Sequence, residues 1–184
     1  MKVYVIGGKA KSGKNTFGEY LREELKKYGY KPCVMHITEP LYSYARNYFE
    51  YDETKDQKPR EFLQKMGIEI IKDKLQKKTF LIDRLKEDIE ILSNFFDVFI
   101  ITDARLKIEF EELKNTYHNV VTIKLIRENY EDFLTPEERD HITETEIDEL
   151  KIFDYTIKNT NLQELQHQAE EIIQIEQRKE GELI

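Results

Sequence analysis

Val3-Tyr-Val-Ile-Gly-Gly-Lys-Ala-Lys-Ser-Gly-Lys-Asn15 joins a short apolar run to a glycine-rich loop. Its second part, Gly8 to Asn15, follows the phosphate-loop pattern G-x-x-x-x-G-K-[ST] at every position but the last. The flanks carry the reading. Val3-Tyr4-Val5-Ile6 reads as a buried strand. From Lys14 on, Phe17, Leu21 and Leu25 recur every four residues, Tyr20 and Tyr28 widen the same face, and Gly29 supplies a stop. A turn that merely caps a helix is the plain alternative. Strand, loop and helix together favour an anion cradle. Gly8 and Gly13 let successive backbone N–H groups turn inward, the helix aims its positive end at the anion, and Lys14 can reach the β- and γ-phosphates. Lys11, Ser12, Asn15 and Thr16 count with the loop as nucleotide-binding candidates. Asn15 replaces the hydroxyl that would face Mg²⁺. Its amide oxygen can still face the ion or its water shell, because Mg²⁺ takes oxygen ligands. Thr16 stands one residue late.

The 184 residues suffice for one domain with a real core. At 39% apolar and 36% charged the chain reads as globular, and no stretch approaches the ~18 apolar residues of a membrane span. Met1-Lys2 leads straight into the first strand, so no signal peptide is expected. The lone Cys33, in an apolar strand, reads as a buried structural thiol, with the cytoplasm as the expected compartment. A net charge of −8 argues against binding a nucleic-acid polymer. The expected partners are small-molecule nucleotides, with no membrane, and the protein is a monomer or homodimer.

Strands are expected at Lys2–Gly7, Pro32–Ile37, Val98–Thr102, Val120–Ile126 and Phe153–Ile157. The unbroken apolar run Val98–Ile101 suits a central parallel strand, and the alternation around Tyr155 suits an edge. Long connections imply a doubly wound parallel sheet, whose ligands bind at the carboxyl ends of the strands. The core is then 1–37, 97–126 and 151–177. A helical insertion fills 38–96, with one stripe of Phe62, Met66 and Ile70 beside Leu63, Ile71 and Leu75, and another of Leu81, Leu85, Ile89 and Leu92. A lid spans 127–150, poor in large apolar residues and expected to be a mobile flap. It carries two helix-start signals, Thr135-Pro136-Glu137-Glu138 and Thr143-x-x-Glu146. The last helix is expected to start at Asn161-x-x-Glu164, to bury Leu162, Leu165, Ala169 and Ile172, and to fray after Gln177.

Other residues fit the same chemistry. Asp103, just past an apolar strand, is in the Walker B arrangement that brings a carboxylate to Mg²⁺. Arg105 could clamp a phosphate or pair with Glu109 or Glu112. Pro59 suits a helix start. Arg60 and Gln64, four apart, share a face that could hold an acceptor's phosphate and a base edge. Gly67 costs about 1 kcal/mol of helix stability against Ala, which makes a close approach there plausible. Arg127 and Arg139 could reach phosphates on closure, with surface arginine as the alternative. His141 lies near the flap and could bind nucleotide. No acid–base role falls to it, since transfer to a phosphate acceptor needs positioning and charge neutralisation more than a base.

Gly8–Asn15, Glu39-Pro40-Leu41, Pro59-Arg-Glu-Phe-Leu-Gln-Lys-Met-Gly67, Asp103-Ala-Arg105-x-x-x-Glu109, Arg127, His141-Ile-Thr-Glu144 and Phe153-Asp154-Tyr155-x-Ile-x-Asn159 follow in this order. Together they resemble the deoxynucleoside monophosphate kinases of phages and bacteria, and more distantly the phosphomevalonate kinases of animals. The resemblance covers nearly the whole chain. It implies a P-loop kinase three-layer α/β sandwich with a five-stranded parallel sheet, an acceptor-binding insertion and a short lid. The implied reaction moves the γ-phosphoryl of ATP to a deoxynucleoside monophosphate with Mg²⁺. Lys14, Asp103, Arg105 and Arg127 would be catalytic. Gly8, Lys11, Ser12, Gly13, Asn15, Thr16 and Arg139 would hold ATP, and Arg60, Gln64, Gly67 and Glu69 the acceptor. Asn15 and Asp103 would serve the metal, directly or through water. The chain departs from the family at Asn15 (often Asp), Ile68 (often Thr) and Lys72 (often Arg). Two other readings stay open: a P-loop kinase for another phosphorylated metabolite, and a nucleotide-binding regulator without turnover.

Overall fold

The first strand, β1 (Lys2–Gly7), is buried along its whole length because strands flank it on both sides. The computed structural model describes residues 1–52, 54–55, 59–127 and 142–181, excepting the side chains of residues 143, 144 and 180. After β1 come α1 (Lys14–Lys27), β2 (Pro32–Met35), α2 (Glu39–Tyr48), α3 (Arg60–Gln64), a π-helical segment (Lys65–Lys74), and α4 (Phe80–Leu92). They are followed by β3 (Val98–Ala104), α5 (Lys107–Thr116), β4 (Val120–Arg127), α6 (Ile142–Glu149), β5 (Tyr155–Asn159) and α7 (Leu162–Gly181). The five strands form one all-parallel sheet in the order β2-β3-β1-β4-β5. The order turns at β1, with β3 on one side and β4 on the other. The carboxyl end of β1 is therefore the switch-point crevice where open parallel sheets take ligands.

The chain divides into two compact units, Met1–Met35 with Leu92–Ile184, and His36–Ile91. The first holds the sheet. On one sheet face Tyr4, Ile6, Val98, Ile100, Ile123, Leu125 and Ile157 pack with Phe17, Leu21 and Leu25 of α1 and Leu165, Ala169, Ile172 and Ile173 of α7. Toward the other face point Val3 and Val5, and there Phe110 of α5 meets Phe153 edge to face at 5.2 Å. Among the described residues no helix is long and apolar enough to cross a membrane.

Several local expectations shift. β2 stops at Met35, and as an edge strand it leaves Cys33 half-buried, where burial pushes the thiol upward. Tyr28 caps the end of α1 and is 45% exposed, so Phe17, Leu21 and Leu25 form the buried stripe without it. Leu162 opens α7 from the solvent side, 62% exposed, and α7 runs on to Gly181 instead of fraying at Gln177. The start signal at Asn161 does operate: its Oδ1 accepts the Glu164 N–H at 2.9 Å.

The second unit holds the largest departure. Residues 65–74 form a π-helix, seen in the Leu75 N–H donating to the Ile70 carbonyl five residues back at 2.9 Å. Only Gly67 and Ile71 of this segment are buried, Leu75 is 52% exposed, and Phe62, Met66 and Ile70 are half-buried. A stripe read at 3.6 residues per turn cannot carry through a wider turn, so the expected face breaks at Lys65. In α4, Leu81, Leu85 and Ile89 are buried as expected, and Leu92 is half-buried.

At the amino end of the sheet a buried charge cluster joins three elements. Glu176 accepts from Lys2 Nζ at 2.8 Å, Lys179 Nζ at 2.7 Å and the Tyr155 hydroxyl at 2.6 Å. Burial pushes the Glu176 carboxyl up, but the hydrogen bonds from Lys179, Lys2 and Tyr155 outweigh it and hold the group at about 2. A folded value below the ordinary 4.5 means stability that is present above that pH and lost as pH falls toward 2. The linkage amounts to no more than about 3 kcal/mol. Urea unfolding of the wild type should lose stability steeply between those limits, and Glu176→Gln should flatten that part of the profile. An unchanged profile would show the cluster to be energetically silent.

Candidate phosphate-binding site

The loop between β1 and α1 sits at the crevice, and most of its carbonyls are engaged by donors of known origin. Lys14, in the first turn of α1 and 6% exposed, donates through Nζ to the carbonyls of Gly8 at 2.8 Å and Lys9 at 2.6 Å. The Lys9 carbonyl also accepts the Ser12 N–H at 3.3 Å. Arg127, exposed at the end of β4, donates through Nη1 to the Lys11 carbonyl at 3.3 Å. Asn159, buried at the end of β5, donates through Nδ2 to the Ser12 carbonyl at 2.9 Å. In a trans peptide the C=O and the following N–H point opposite ways. Fixing the carbonyls therefore fixes the directions of the loop's amides.

Gly13 has φ of 100° and precedes α1 with no side-chain cap, and the first turn of the helix holds no acidic residue. The positive end of α1 is thus left to an outside anion. At Gly8 a Cβ would run into the Leu125 carbonyl oxygen, so only glycine lets the loop lie on β4. Lys11 is held at φ 55°, an uncommon backbone region for a side chain. Ser12 is 3% exposed and its hydroxyl, lying beside Gly8, has no hydrogen-bond partner among the described residues. A buried hydroxyl of this kind inside a ring of amides suits a phosphate oxygen. Asn15 and Thr16 are both exposed on the first turn.

Asp103 lies inside β3, half-buried, not beyond the strand's tip. Between the pairs Val5↔Ile101 and Gly7↔Ala104 the register slips by one residue. Asp103 precedes the partner of Gly7, the residue that leads into the loop, and such bulges re-aim side chains near sites. Asn15 and Asp103 offer an amide oxygen and a carboxylate. That donor set fits Mg²⁺, which binds through one or two protein oxygens and completes its shell with water and phosphate.

Arg105, half-buried, begins the turn into α5. The Glu109 carboxylate accepts the backbone N–H groups of Arg105 at 2.8 Å and Leu106 at 3.0 Å. α6 also borders the loop. Its Ile147 is fully buried, Asp148 pairs with Lys9 at 2.6 Å, Lys124 Nζ donates to the Ile147 carbonyl at 3.0 Å, and Glu146 accepts the Lys107 N–H at 2.9 Å. The described helix runs Ile142–Glu149, with Thr143 inside it, and the Glu146 carboxylate caps the first turn of α5. The described end of the segment expected to be a mobile flap is thus anchored. Arg139, His141 and the Thr135–Glu138 signal lie outside the described residues.

In the second unit Arg60 and Gln64 are the first and last residues of α3, both half-buried. Gly67 is buried and Glu69 exposed in the π-helix. A Cβ on Gly67 would lie 3.1 Å from Leu41 Cδ1, so the close approach there is to a side chain of α2.

Sequence reasoning gave Asn159, Lys9, Lys124 and Asp148 no part in the site. Asn159 carried a readable signal, a polar residue at the carboxyl end of a parallel strand. The other three had none, since an exposed lysine or aspartate reads as solvated surface.

No family model matches the sequence, and no characterised protein matches it by sequence. Solved structures do match by fold. A cysteine-to-alanine mutant of the APS kinase CysC of Mycobacterium tuberculosis aligns over 96% of this chain and 96% of its own, with a TM-score of 0.56 at 10% identity. The same kinase in complex with AMPPNP and APS aligns over 96% and 97%, with a TM-score of 0.54 at 12% identity. At these identities the likeness is one of fold. The chain has the α/β fold of P-loop kinases, with a five-stranded parallel sheet flanked by helices.

Lys14→Met is expected to leave the protein folded but weaker by roughly 1–3 kcal/mol, because the Gly8 carbonyl loses its Lys14 donor and the Lys9 carbonyl is left with the Ser12 N–H. That corresponds to a melting point lower by roughly 2–12 °C for a chain of this size. Calorimetric binding of inorganic pyrophosphate should fall below detection. Wild-type affinity in the folded variant would remove the loop from phosphate binding.

Proposed function

We propose that the protein is an ATP-dependent phosphotransferase acting on a small phosphorylated acceptor, and specifically a (deoxy)nucleoside monophosphate kinase giving the diphosphate and ADP. One observation carries the reading: the loop of residues 8–15, its carbonyls turned onto Lys14, Arg127 and Asn159, lies at the switch point of a kinase-type sheet. The ordered motifs that follow it in the sequence support the nucleotide acceptor.

In this reading the loop amides, the α1 N-terminus and Lys14 hold the β- and γ-phosphates of ATP, with Lys11, Ser12 and Thr16 alongside. Asn15 and Asp103 hold Mg²⁺, directly or through water. Held there, the ion would supply charge neutralisation to the phosphates. Arg105 and Arg127 offset charge on the phosphates, and Arg139 joins them from the 127–150 lid. His36–Ile91 takes the acceptor, through Arg60 on its phosphate and Gln64 on its base, beside Gly67 and Glu69. The chemistry needs no general base, because the attacking phosphate oxygen is already ionised.

A second reading keeps the transfer and changes the acceptor. APS kinase, whose fold this chain shares, is seen with AMPPNP and APS. An acceptor other than a nucleoside monophosphate suits Ile68 and Lys72, where a hydroxyl and a planar guanidinium stand in the resembling family. Coupled measurement of ADP release across deoxy- and ribonucleoside monophosphates and phosphorylated alcohols decides between the two. Turnover with a phosphorylated alcohol alone would replace the nucleotide reading. Absence of turnover with every acceptor, with ATP still bound, would leave a nucleotide-binding regulator.

Two substitutions separate the roles. Asp103→Asn should cut Mg²⁺-dependent turnover far more than metal-free ATP binding, because the carboxylate acts through the ion. Equal losses would make Asp103 structural. Arg60→Ala should raise KM for the monophosphate by roughly 10- to 150-fold, the worth of a charge-assisted phosphate contact. KM for ATP should stay nearly constant. A rise confined to the ATP value would take the acceptor away from α3.

A further inference from the structure

Four loop carbonyls, those of Gly8, Lys9, Lys11 and Ser12, accept side-chain donors. Two of these donors come from outside α1, and they are register partners. Arg127 and Asn159 sit opposite each other at the ends of β4 and β5. They reach consecutive residues of the loop, Arg127 the Lys11 carbonyl at 3.3 Å and Asn159 the Ser12 carbonyl at 2.9 Å. The two contacts differ in kind. Arg127 is exposed, so water can replace its bond, whereas Asn159 is only 8% exposed and its bond to Ser12 is buried. Loss of the buried donor leaves a carbonyl that nothing else solvates.

The bond acts on one peptide plane. The Ser12 C=O points at Asn159, so the Gly13 N–H of the same trans peptide points away from β5. Gly13 is the residue before α1, held at φ 100°, and a Cβ on it would strike the Asn159 amide nitrogen. Its bareness thus serves two ends, the left-handed turn and the approach of Asn159. The adjoining Ser12 hydroxyl is the buried, unpartnered oxygen of the loop. Asn159 therefore holds the segment where the loop turns into the helix.

We infer that Asn159 is a positioning residue for the phosphates of the nucleotide: its amide clamps the Ser12–Gly13 peptide so that the Gly13 N–H faces the bound anion. This rests on the phosphotransferase reading above. It assigns the carboxyl end of β5 to the phosphates, through the Ser12 carbonyl that Asn159 holds. It also makes an edge strand part of the cradle, so that displacement of β5 would loosen phosphate binding before it unfolds the sheet.

The test uses the full chain with inorganic pyrophosphate, MgATP and adenosine as calorimetric probes. Asn159→Leu keeps the approximate shape and removes the donor. It should weaken pyrophosphate and MgATP by about tenfold, the upper worth of one hydrogen bond, and leave adenosine affinity and the acceptor's KM unchanged. Asn159→Asp, which sets an acceptor against the Ser12 carbonyl, should weaken both phosphate ligands further. Pyrophosphate bound equally by wild type and Asn159→Leu overturns the inference while the kinase reading stands. Adenosine weakened as much as pyrophosphate overturns it too, since Asn159 would then serve the base. A wild type that binds neither pyrophosphate nor MgATP ends both readings. Should the variants not fold, nuclear magnetic resonance of the wild type decides. The Asn159 side-chain amide must be protected from solvent exchange, and its signal must move with the Gly13 amide on pyrophosphate addition. A freely exchanging or unmoved signal overturns the inference.

Discussion

A cradle built from backbone amides has one requirement that shapes everything around it: each amide turned inward sends a carbonyl outward, and that carbonyl needs a donor. Between Gly8 and Ser12 the donors are Lys14, Ser12's own N–H, Arg127 and Asn159. Apart from Ser12, in the loop itself, they come from three elements, α1, β4 and β5, and the strand order brings them together by placing β4 beside β1 and β5 beside β4. The sheet is thus more than a platform under the loop. Its strand ends supply the hydrogen bonds without which the loop's conformation, with φ of 55° at Lys11 and 100° at Gly13, would relax.

The same requirement accounts for the packing around the loop. Gly8 lies against the Leu125 carbonyl, so β4 limits how far the loop can move toward the sheet. On the other side Lys9 is tied to Asp148 of α6, whose Ile147 is fully buried. The Lys9–Asp148 pair is half exposed and contributes little by itself. Its weight comes from what it joins, a loop with a buried lysine and a helix within the 127–150 connection. Binding of an anion that drew Lys9 away would be felt by α6 through Asp148.

The parts of the fold that were legible in the sequence are those where one short pattern has one solution. Val3–Ile6 followed by Gly8–Lys14 leaves little besides a strand, a loop and a helix, and Val98–Ile101 is apolar on both faces because it is central. The illegible parts are those decided by neighbours. Cys33 reads as buried, but β2 is an edge, which its own four residues cannot announce. Glu146 reads in sequence as part of a capping box with Thr143, and its contact with the Lys107 N–H of another element is one no local pattern announces. The π-helix is the sharpest case. Apolar residues at Phe62, Met66 and Ile70, with Leu63, Ile71 and Leu75 alongside, satisfy an α-period well enough that the hydrogen bond from Leu75 to Ile70 is what reveals the wider turn.

The candidate site divides the same way. Gly8, Gly13, Lys14 and Asp103 announce themselves because chemistry demands those residue types at those spacings. Asn159 does not, because its role depends on where β5 ends relative to Ser12, 147 residues earlier. Residues that touch a ligand leave motifs, since the ligand's shape is shared between proteins. A residue that holds those residues in place can stand inside a motif, as Asn159 ends Phe153-Asp154-Tyr155-x-Ile-x-Asn159, without the motif saying which carbonyl it serves. Here the donor is an asparagine on an edge strand. The motif that ends on it marks the position, and the Ser12 carbonyl opposite it supplies the reason.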